Sequence, residues 1–231
     1  MKGNLIVIEG TDCSGKETQS NMLEENLNKL GHNTKKLYFP KYDTPTGRIV
    51  GTCFLGKEEL CNKYLREEKG WFKEGSSNVD PLVSSLYYAA DRKYNIKEIT
   101  DLLESGTNVI LDRYIYSNLA HQGCKFNSKE ERLDFYKKME LLEFNILELP
   151  KPDITIFLYV PHEVSYELKK NRVESPDQNE INEEYLIKAE KTYLELSKLY
   201  NFKIIECTKD NKIKSKEEIS ELVLKEISTL I

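Results

Sequence analysis

Short apolar runs alternate along the chain with longer polar stretches in which apolar residues recur at helical spacing. This alternation predicts strands connected by helices, as in a parallel sheet. The five predicted strands are Leu5–Glu9, Thr34–Phe39, Asn108–Asp112, Asp153–Tyr159 and Lys203–Glu206. The centre of the third run, Val109-Ile110-Leu111, is apolar without a break, which indicates a strand buried on both faces.

Five longer stretches are predicted to form helices. In the first of them, Met22, Leu23, Leu27 and Leu30 fall roughly on one helical face, and Gly31 follows as a stop signal. The predicted helices are Lys16–Leu30, Pro81–Leu103, Ser128–Leu147, Glu183–Tyr200 and Ser215–Leu230.

Polar segments between these elements predict turns and loops. Asp210-Asn211 marks a turn, and Asn171–Asn182 has no apolar period, so we expect a mobile loop there. The stretch Lys57–Asn78 is charged and irregular. Neither long stretch indicates a separate domain. We therefore expect an α/β fold in which a doubly wound parallel sheet is flanked by helices, a single domain over residues 1–231 with a lid at about 171–182.

Composition and charge predict a soluble globular protein that acts on small molecules. The 231 residues are 39% hydrophobic and 32% charged, and no apolar run is long enough to cross a membrane. The formal net charge is −5, whereas proteins that bind long nucleic acids are usually basic. We expect neither a nucleic-acid nor a membrane partner. The start of the chain lacks the features of a secretory signal, so we expect a cytoplasmic location.

The candidate chemistry begins directly after the first predicted strand. The segment Gly10-Thr11-Asp12-Cys13-Ser14-Gly15-Lys16, the phosphate loop, lies between a strand and a helix, as a triphosphate-binding loop requires. Its glycines let the backbone amides point inward, and the helix N-terminus adds partial positive charge. Lys16 can reach the β- and γ-phosphates. We therefore predict an ATP site formed by the loop with Glu17 and Thr18.

Two acidic positions bear on a metal ion. The motif expects Ser or Thr after the lysine to hold Mg²⁺, but this chain has Glu17. A carboxylate beside polyphosphate is repelled unless a metal or its water lies between, so Glu17 either turns outward or holds Mg²⁺ indirectly. Asp112 ends the third strand beside the phosphate loop, where it could hold Mg²⁺, orient the attacking oxygen or simply form a turn. Arg113 suits a phosphate dianion because a guanidinium offers paired donors.

Two segments together resemble the signatures of thymidylate kinases. They are Ile8–Gln19 and Asp112–Gly123, the second of which reads Asp-Arg-Tyr-Ile-Tyr-Ser-Asn-Leu-Ala-His-Gln-Gly. Further matches in the family's order are Phe39-Pro40, Thr44–Gly47, Ser85–Arg92 and Leu149–Asp153. The resemblance implies a nucleoside monophosphate kinase that transfers a phosphoryl group from ATP to dTMP with Mg²⁺. It also implies a homodimer.

The same resemblance assigns roles to individual residues. It implies that Asp12 approaches the sugar 3′-hydroxyl of the acceptor, that Tyr88 stacks on thymine and that Arg92 hydrogen-bonds the base. Arg113 is expected to bind the acceptor phosphate. Other residues expected at the acceptor site are Phe39, Tyr42, Asn118, His121 and Gln122.

Several acceptor positions leave alternatives open. Tyr87 and Tyr88 are adjacent on a predicted helix and point about 100° apart, so we expect only one of them to face the pocket. His121 stands where the family often has Tyr, whose ring crowds the place of a ribose 2′-hydroxyl, so discrimination against ribonucleotides is expected to be less complete. The family often has Arg after Phe-Pro. Here Lys41 or Tyr42 must replace it, or the contact is lost.

The catalytic positive charge is expected to come partly from the lid. Many members of the family carry an arginine inside the phosphate loop, where this chain has Cys13-Ser14. Others carry it in the lid, so Arg172 is the candidate that would neutralise charge in the transition state. Lys16, Asp112 and Arg113 complete the predicted catalytic set. The alternatives are a kinase of the same fold that acts on another deoxynucleoside or monophosphate, and a nucleotide-dependent switch or binding module.

Overall fold

Five parallel strands form the central sheet of the computed structural model, which describes residues 2–65, 70–169 and 182–231. The strands are β1 (Leu5–Gly10), β2 (Thr34–Tyr38), β3 (Asn108–Asp112), β4 (Ile154–Tyr159) and β5 (Lys203–Glu206). They lie in the order β2-β3-β1-β4-β5. The five predicted strands are confirmed, and each end agrees to within one residue. The central position of β1 places the phosphate loop, which follows it, in the middle of the sheet's carboxyl edge.

Helices pack on both faces of this sheet. They are α1 (Lys16–Lys29), α2 (Pro45–Ile49), α3 (Glu58–Tyr64), α4 (Pro81–Glu104), α5 (Ile115–Gly123), α6 (Lys129–Glu140), α7 (His162–Lys169), α8 (Glu183–Leu199) and α9 (Lys216–Ile227). Two π-helical segments, Val50–Phe54 and Leu141–Ile146, continue α2 and α6, and a 3₁₀ turn covers Ser76–Asn78. In the described ranges no helix is long and apolar enough to cross a bilayer.

Both faces of β1 are buried, which explains the predicted apolar run. Leu5 and Val7 pack in a core with α4, α5, α6 and α8, whereas Ile6 and Ile8 pack in a second core with α1 and α9. Successive strand residues point to opposite faces, so one strand contributes to both cores. The doubly wound fold predicted from the alternation of strands and helices is therefore confirmed.

The predicted helix Ser128–Leu147 is divided into two kinds of helix. Ser128 caps α6 through a capping box with Glu131, and regular α-helix ends at Glu140. The π-helical segment Leu141–Ile146 follows. The spacing of apolar residues does not distinguish an α-helix from a π-helix. The wider turn of the π-helix depends on tertiary contacts, which this spacing does not show.

Other differences lie in the loops. The predicted turn Asp210-Asn211 is confirmed: both residues have left-handed φ and join the short antiparallel strands β6 (Thr208–Lys209) and β7 (Lys212–Ile213). The irregular stretch Lys57–Asn78 contains α3. Most of the predicted lid lies outside the described residues, so its conformation stays a prediction.

Candidate active site

A cavity of about 780 Å³ opens at the carboxyl edge of the sheet. It is lined by the phosphate loop, the segment after β2, the middle of α4 and the start of α5. Of the predicted site residues, the cavity is lined by Asp12, Cys13, Gly15, Lys16, Glu17, Thr18, Phe39, Tyr42, Tyr88, Arg92, Asp112, Arg113, Asn118 and His121. The fold thus brings residues as far apart in sequence as Asp12 and His121 into one site.

The phosphate loop turns sharply between β1 and α1. Gly15, the N-cap of α1, has φ +77° and Cys13 has φ +54°, so both are left-handed. A Cβ atom at Gly10 would lie 2.3 Å from Ser14 Oγ and 2.9 Å from the Leu158 carbonyl oxygen. Glycine is therefore required at position 10 by close packing and favoured at position 15 by backbone conformation.

Lys16 reaches back into the loop that precedes it. Its Nζ donates to the carbonyl oxygens of Gly10 at 3.2 Å and Thr11 at 2.8 Å. Burial lowers the pKa of Lys16 to about 8, and Arg113 acts in the same direction. A buried ammonium that lacks a full counter-charge gains from a bound polyphosphate. This placement fits the predicted contact with the β- and γ-phosphates.

Asp112 provides a carboxylate beside the loop. β1 and β3 pair with Ile8 opposite Asp112, and the Asp112 side chain lines the cavity without a hydrogen-bond partner among the described residues. Glu17 is exposed and also lines the cavity. The described residues contain no group of three metal-ligating side chains. This set fits a Mg²⁺ ion held by phosphate oxygens, water and one carboxylate, but not a metal held by protein ligands alone.

Asp12 lies among cations at the tip of the phosphate loop. Its Oδ2 is 2.9 Å from Lys169 Nζ, and its Oδ1 is 3.9 Å from Arg113 Nη2. Burial alone would raise the pKa of Asp12, but Lys16, Lys169 and Arg113 hold the pKa well below its usual range. The carboxylate is thus ionised at neutral pH. The contact of Lys169, the last residue of α7, has no signal in the sequence beyond a basic residue before the predicted lid.

Glu9 is a fully buried acid behind Arg113 that the sequence did not single out. Its Oε1 accepts hydrogen bonds from the backbone N–H groups of Tyr114 at 2.9 Å and Ser117 at 3.0 Å. Its Oε2 accepts from Ser117 Oγ at 2.5 Å and Tyr193 Oη at 3.2 Å. Burial raises the pKa of Glu9. These bonds fix the start of α5 and hence Arg113, whose φ is +66°.

Only one of the two adjacent tyrosines of α4 faces the cavity, as expected from their angular separation on a helix. Tyr88 lines the cavity, whereas Tyr87 stacks on Phe54 with ring centroids 5.7 Å apart and does not line it. Arg92, one turn further on, also lines the cavity. Its Nε and Nη2 donate to both carboxylate oxygens of Glu143, a partner that the sequence did not indicate.

The helix α5 presents buried polar atoms that have no hydrogen-bond partner among the described residues. They are Nδ2 and Oδ1 of Asn118, Nδ1 of His121 and Oε1 of Gln122. Such atoms are rare in folded proteins and indicate a place for a ligand or water. Asn118 and His121 line the cavity and Gln122 does not, so a contact of Gln122 with the base stays a prediction. Burial, together with Arg113, lowers the pKa of His121 to about 4, so the ring is neutral at pH 7.

The segment after β2 contains Lys41 and Tyr42, the two residues that could replace the family's arginine. Phe39 and Tyr42 line the cavity and Lys41 does not. The Lys41 ammonium pairs with Glu98, and its backbone N–H donates to Asp91 Oδ2 at 2.8 Å. Tyr42 is therefore the residue of this pair that a ligand would meet.

Besides Gln122, four predicted positions do not line the cavity or lie outside the described residues. Gly10, Thr11 and Ser14 belong to the phosphate loop but do not line the cavity. Thr11 instead holds the loop on the sheet, since its Oγ1 donates to the carbonyl oxygen of Val160 at 2.8 Å. Arg172 lies outside the described residues, so its catalytic role stays a prediction.

Comparisons with known proteins agree with this site. The family model described as thymidylate kinase matches residues 8–219. The human thymidylate kinase is 32% identical over 157 residues, which are 68% of this chain and 61% of the human protein, less than two thirds of its length. A probable thymidylate kinase 1 of Saccharolobus solfataricus is 31% identical over 223 residues, which are 96% of this chain and 95% of that protein.

A solved structure has the same fold. The thymidylate kinase of Candida albicans matches with a TM-score of 0.69 and 28% identity, covering 99% of this chain and 92% of that chain. The family resemblance predicted from the motifs is thus confirmed over most of the chain. The chain belongs to the thymidylate kinase family.

Proposed function

We propose that the chain transfers the γ-phosphoryl group of ATP to dTMP, giving ADP and dTDP. The observation that carries this proposal is one continuous cavity that joins the phosphate loop to aromatic side chains and to the amide of Asn118, which has no hydrogen-bond partner among the described residues. Its volume of about 780 Å³ is in the range of small-molecule sites. A nucleotide switch would need the loop but no second pocket.

The acceptor pocket has the chemistry of a pyrimidine site. Tyr88 offers a flat aromatic surface for stacking, and Asn118 offers both a donor and an acceptor that lack partners among the described residues. The edge of thymine presents carbonyl acceptors beside an N–H donor, which such an amide can satisfy. Arg113 lies near Asp12 of the phosphate loop, where it would bind the acceptor phosphate.

The reaction would proceed by alignment and charge neutralisation. An oxygen of the dTMP phosphate attacks the γ-phosphorus of ATP, and the bond from that phosphorus to the β,γ-bridging oxygen breaks, leaving ADP. The attacking oxygen is already ionised at neutral pH, so no general base is required. Lys16 and Arg113 would stabilise the negative charge on the transferred group and the acceptor. Mg²⁺, when bound near Asp112, would neutralise the donor phosphates.

Some features of the proposal rest on the sequence and the family resemblance alone. The homodimer, the cytoplasmic location and the single domain with a lid at about 171–182 remain predictions. So does the part of Arg172 in catalysis, which would add positive charge when the lid closes.

A substrate panel tests the proposal. We expect kcat/KM with ATP and Mg²⁺ to be highest for dTMP among dTMP, dUMP, dCMP, dGMP and thymidine. A higher value for thymidine or dCMP would contradict the substrate assignment. Hydrolysis of ATP without transfer to any of these acceptors would instead favour a nucleotide-dependent switch.

A further inference from the structure

A desolvated ion pair forms part of the acceptor end of the cavity. Arg92 Nε is 2.9 Å from Glu143 Oε2, and Arg92 Nη2 donates to Glu143 Oε1. The two side chains are 3% and 0% exposed. We propose, on the basis of the proposed function, that Glu143 is a positioning residue that orients Arg92 toward the base and thereby favours a pyrimidine with a carbonyl oxygen at position 4.

The geometry of the guanidinium supports this proposal. Two parallel hydrogen bonds to one carboxylate fix the plane of the group and its rotation. Arg92 Nη1 makes no hydrogen bond to any described residue, while Arg92 lines the cavity. Its two N–H groups are therefore available to a ligand in one fixed orientation. A carbonyl oxygen at position 4 of the base would accept from them, whereas the amino group of cytosine would present a donor to a donor.

The pairing also controls charge at this end of the cavity. A lone arginine in a site that binds polyphosphates would attract a phosphate group. Paired with Glu143, Arg92 offers hydrogen-bond donors with little net charge, which suits a neutral base. Arg113 lacks such a bidentate partner among the described residues, and its nearest carboxylate contact is Asp12 at 3.9 Å. The two arginines are thereby assigned to different parts of one nucleotide.

Fold stability alone is a poor explanation for this pair. Taking two charges out of water costs free energy that their attraction often only offsets, and well-packed apolar residues can replace such pairs without loss. An apolar replacement of the pair would not fix the orientation of a guanidinium, as Glu143 does for Arg92.

The local structure holds Glu143 in place. Glu143 lies in the π-helical segment Leu141–Ile146, a conformation that is rare and often found at functional sites. Its carbonyl oxygen accepts from Leu149 N at 2.9 Å, and Lys93 Nζ donates to the Leu147 carbonyl oxygen at 2.7 Å. The segment is thus tied to α4 at the residue next to Arg92.

The test compares Glu143→Gln with the wild-type enzyme. The amide keeps one acceptor but loses the charge and the second acceptor, so Arg92 is held less firmly. We expect the KM for dTMP to rise about tenfold while kcat and the KM for ATP stay within about twofold. We also expect the ratio of kcat/KM for dTMP to that for dCMP to fall about tenfold.

A geometrically matched control is available in the same chain. Glu195 accepts from Arg132 Nε at 3.1 Å and from Arg132 Nη2 at 2.8 Å, and neither residue lines the cavity. Glu195→Gln should leave both KM values and the dTMP-to-dCMP ratio at wild-type levels. An unchanged ratio in Glu143→Gln, or equal increases in the KM for dTMP and ATP, would show that the Arg92–Glu143 pair only supports the fold.

A second variant covers the case in which Glu143→Gln does not fold. Glu143→Asp keeps the charge but withdraws the carboxylate by one methylene, so we expect a smaller increase in the KM for dTMP and a lower dTMP-to-dCMP ratio. A wild-type ratio in this variant would overturn the inference. Failure of the proposed function is distinct, because it would appear as a wild-type enzyme that does not phosphorylate dTMP.

Discussion

At the scale of single residues, Lys16 carries a positive charge where burial disfavours it. Its pKa is lowered to about 8, and its hydrogen-bond acceptors are two backbone carbonyl groups rather than a carboxylate. Bound triphosphate would supply the missing negative charge and raise this pKa again. The unliganded and liganded enzymes should therefore differ in the pH at which Lys16 loses its proton.

This difference predicts a pH dependence of activity. The charged form of Lys16 exists below its pKa, so kcat/KM for ATP should fall as pH rises through about 8 in the free enzyme. In the enzyme–substrate complex the pKa is higher, so kcat should stay level to higher pH. Steady-state rates at about ten pH values between pH 6 and pH 10 would give the pH profiles of both kcat/KM and kcat.

Lys16→Arg is the control for the pH profile. A guanidinium stays protonated over this range, so the variant should be less active but should lack the decline in kcat/KM near pH 8. If Lys16→Arg keeps that decline, another group titrates and the assignment to Lys16 is wrong.

At the scale of elements, α4 presents two adjacent tyrosines to different surroundings. Tyr88 lines the cavity, and Tyr87 packs between Phe54 and Phe72. We expect Tyr88→Ala to raise the KM for dTMP about 10- to 100-fold, because stacking of a base on an aromatic ring contributes about 1–3 kcal/mol. Initial-rate measurements with varied dTMP at saturating ATP would determine this change.

Tyr87→Ala is the matched control on the same helix. It removes part of an aromatic cluster, so we expect it to lower the free energy of unfolding by about 2 kcal/mol while the KM for dTMP stays within about threefold. Urea unfolding and the same kinetic assay would separate the two effects. Equal increases in the KM for dTMP in both variants would mean that Tyr88 supports the pocket without contacting the base.

At the scale of the whole molecule, an ion pair connects the end of α7 with the phosphate loop. Lys169 is the last described residue before the predicted lid, and its Nζ lies 2.9 Å from Asp12 Oδ2. This contact places the end of α7 beside the phosphate loop, where the triphosphate would bind. Arg172 follows three positions later in the sequence and lies outside the described residues.

Arg172→Ala should slow phosphoryl transfer if the predicted role of Arg172 is right. We expect kcat to fall at least about tenfold, because the predicted role of this arginine is to stabilise negative charge in the transition state. Lys198→Ala, which removes an exposed positive charge at the end of α8, should leave kcat unchanged. An unchanged kcat in Arg172→Ala would mean that another residue supplies the catalytic charge. Lys169, whose Nζ contacts Asp12 of the phosphate loop, would then be the next candidate.

The sequence by itself determined the sheet, the phosphate loop and the family. Strand burial follows from runs such as Val109-Ile110-Leu111, and the loop follows from glycine spacing beside Lys16. These are local signals, because alternation of side chains and backbone freedom act between near neighbours. The helix α5 was not predicted from the sequence, because the polar residues that face the cavity interrupt the helical spacing of its apolar residues. Its start is instead fixed by Glu9, 105 positions from Tyr114.

Only the tertiary structure decided how the site is held together. Arg92 and Glu143 are 51 positions apart, and Asp12 and Lys169 are 157 positions apart. No local pattern marks such a partner, because a buried charge is stabilised by whatever group the fold places beside it. Likewise, the choice of Tyr88 over Tyr87 and of Tyr42 over Lys41 followed from packing. The sequence therefore named candidate residues for the site, and the three-dimensional fold determined which of them line the cavity and which partners orient them.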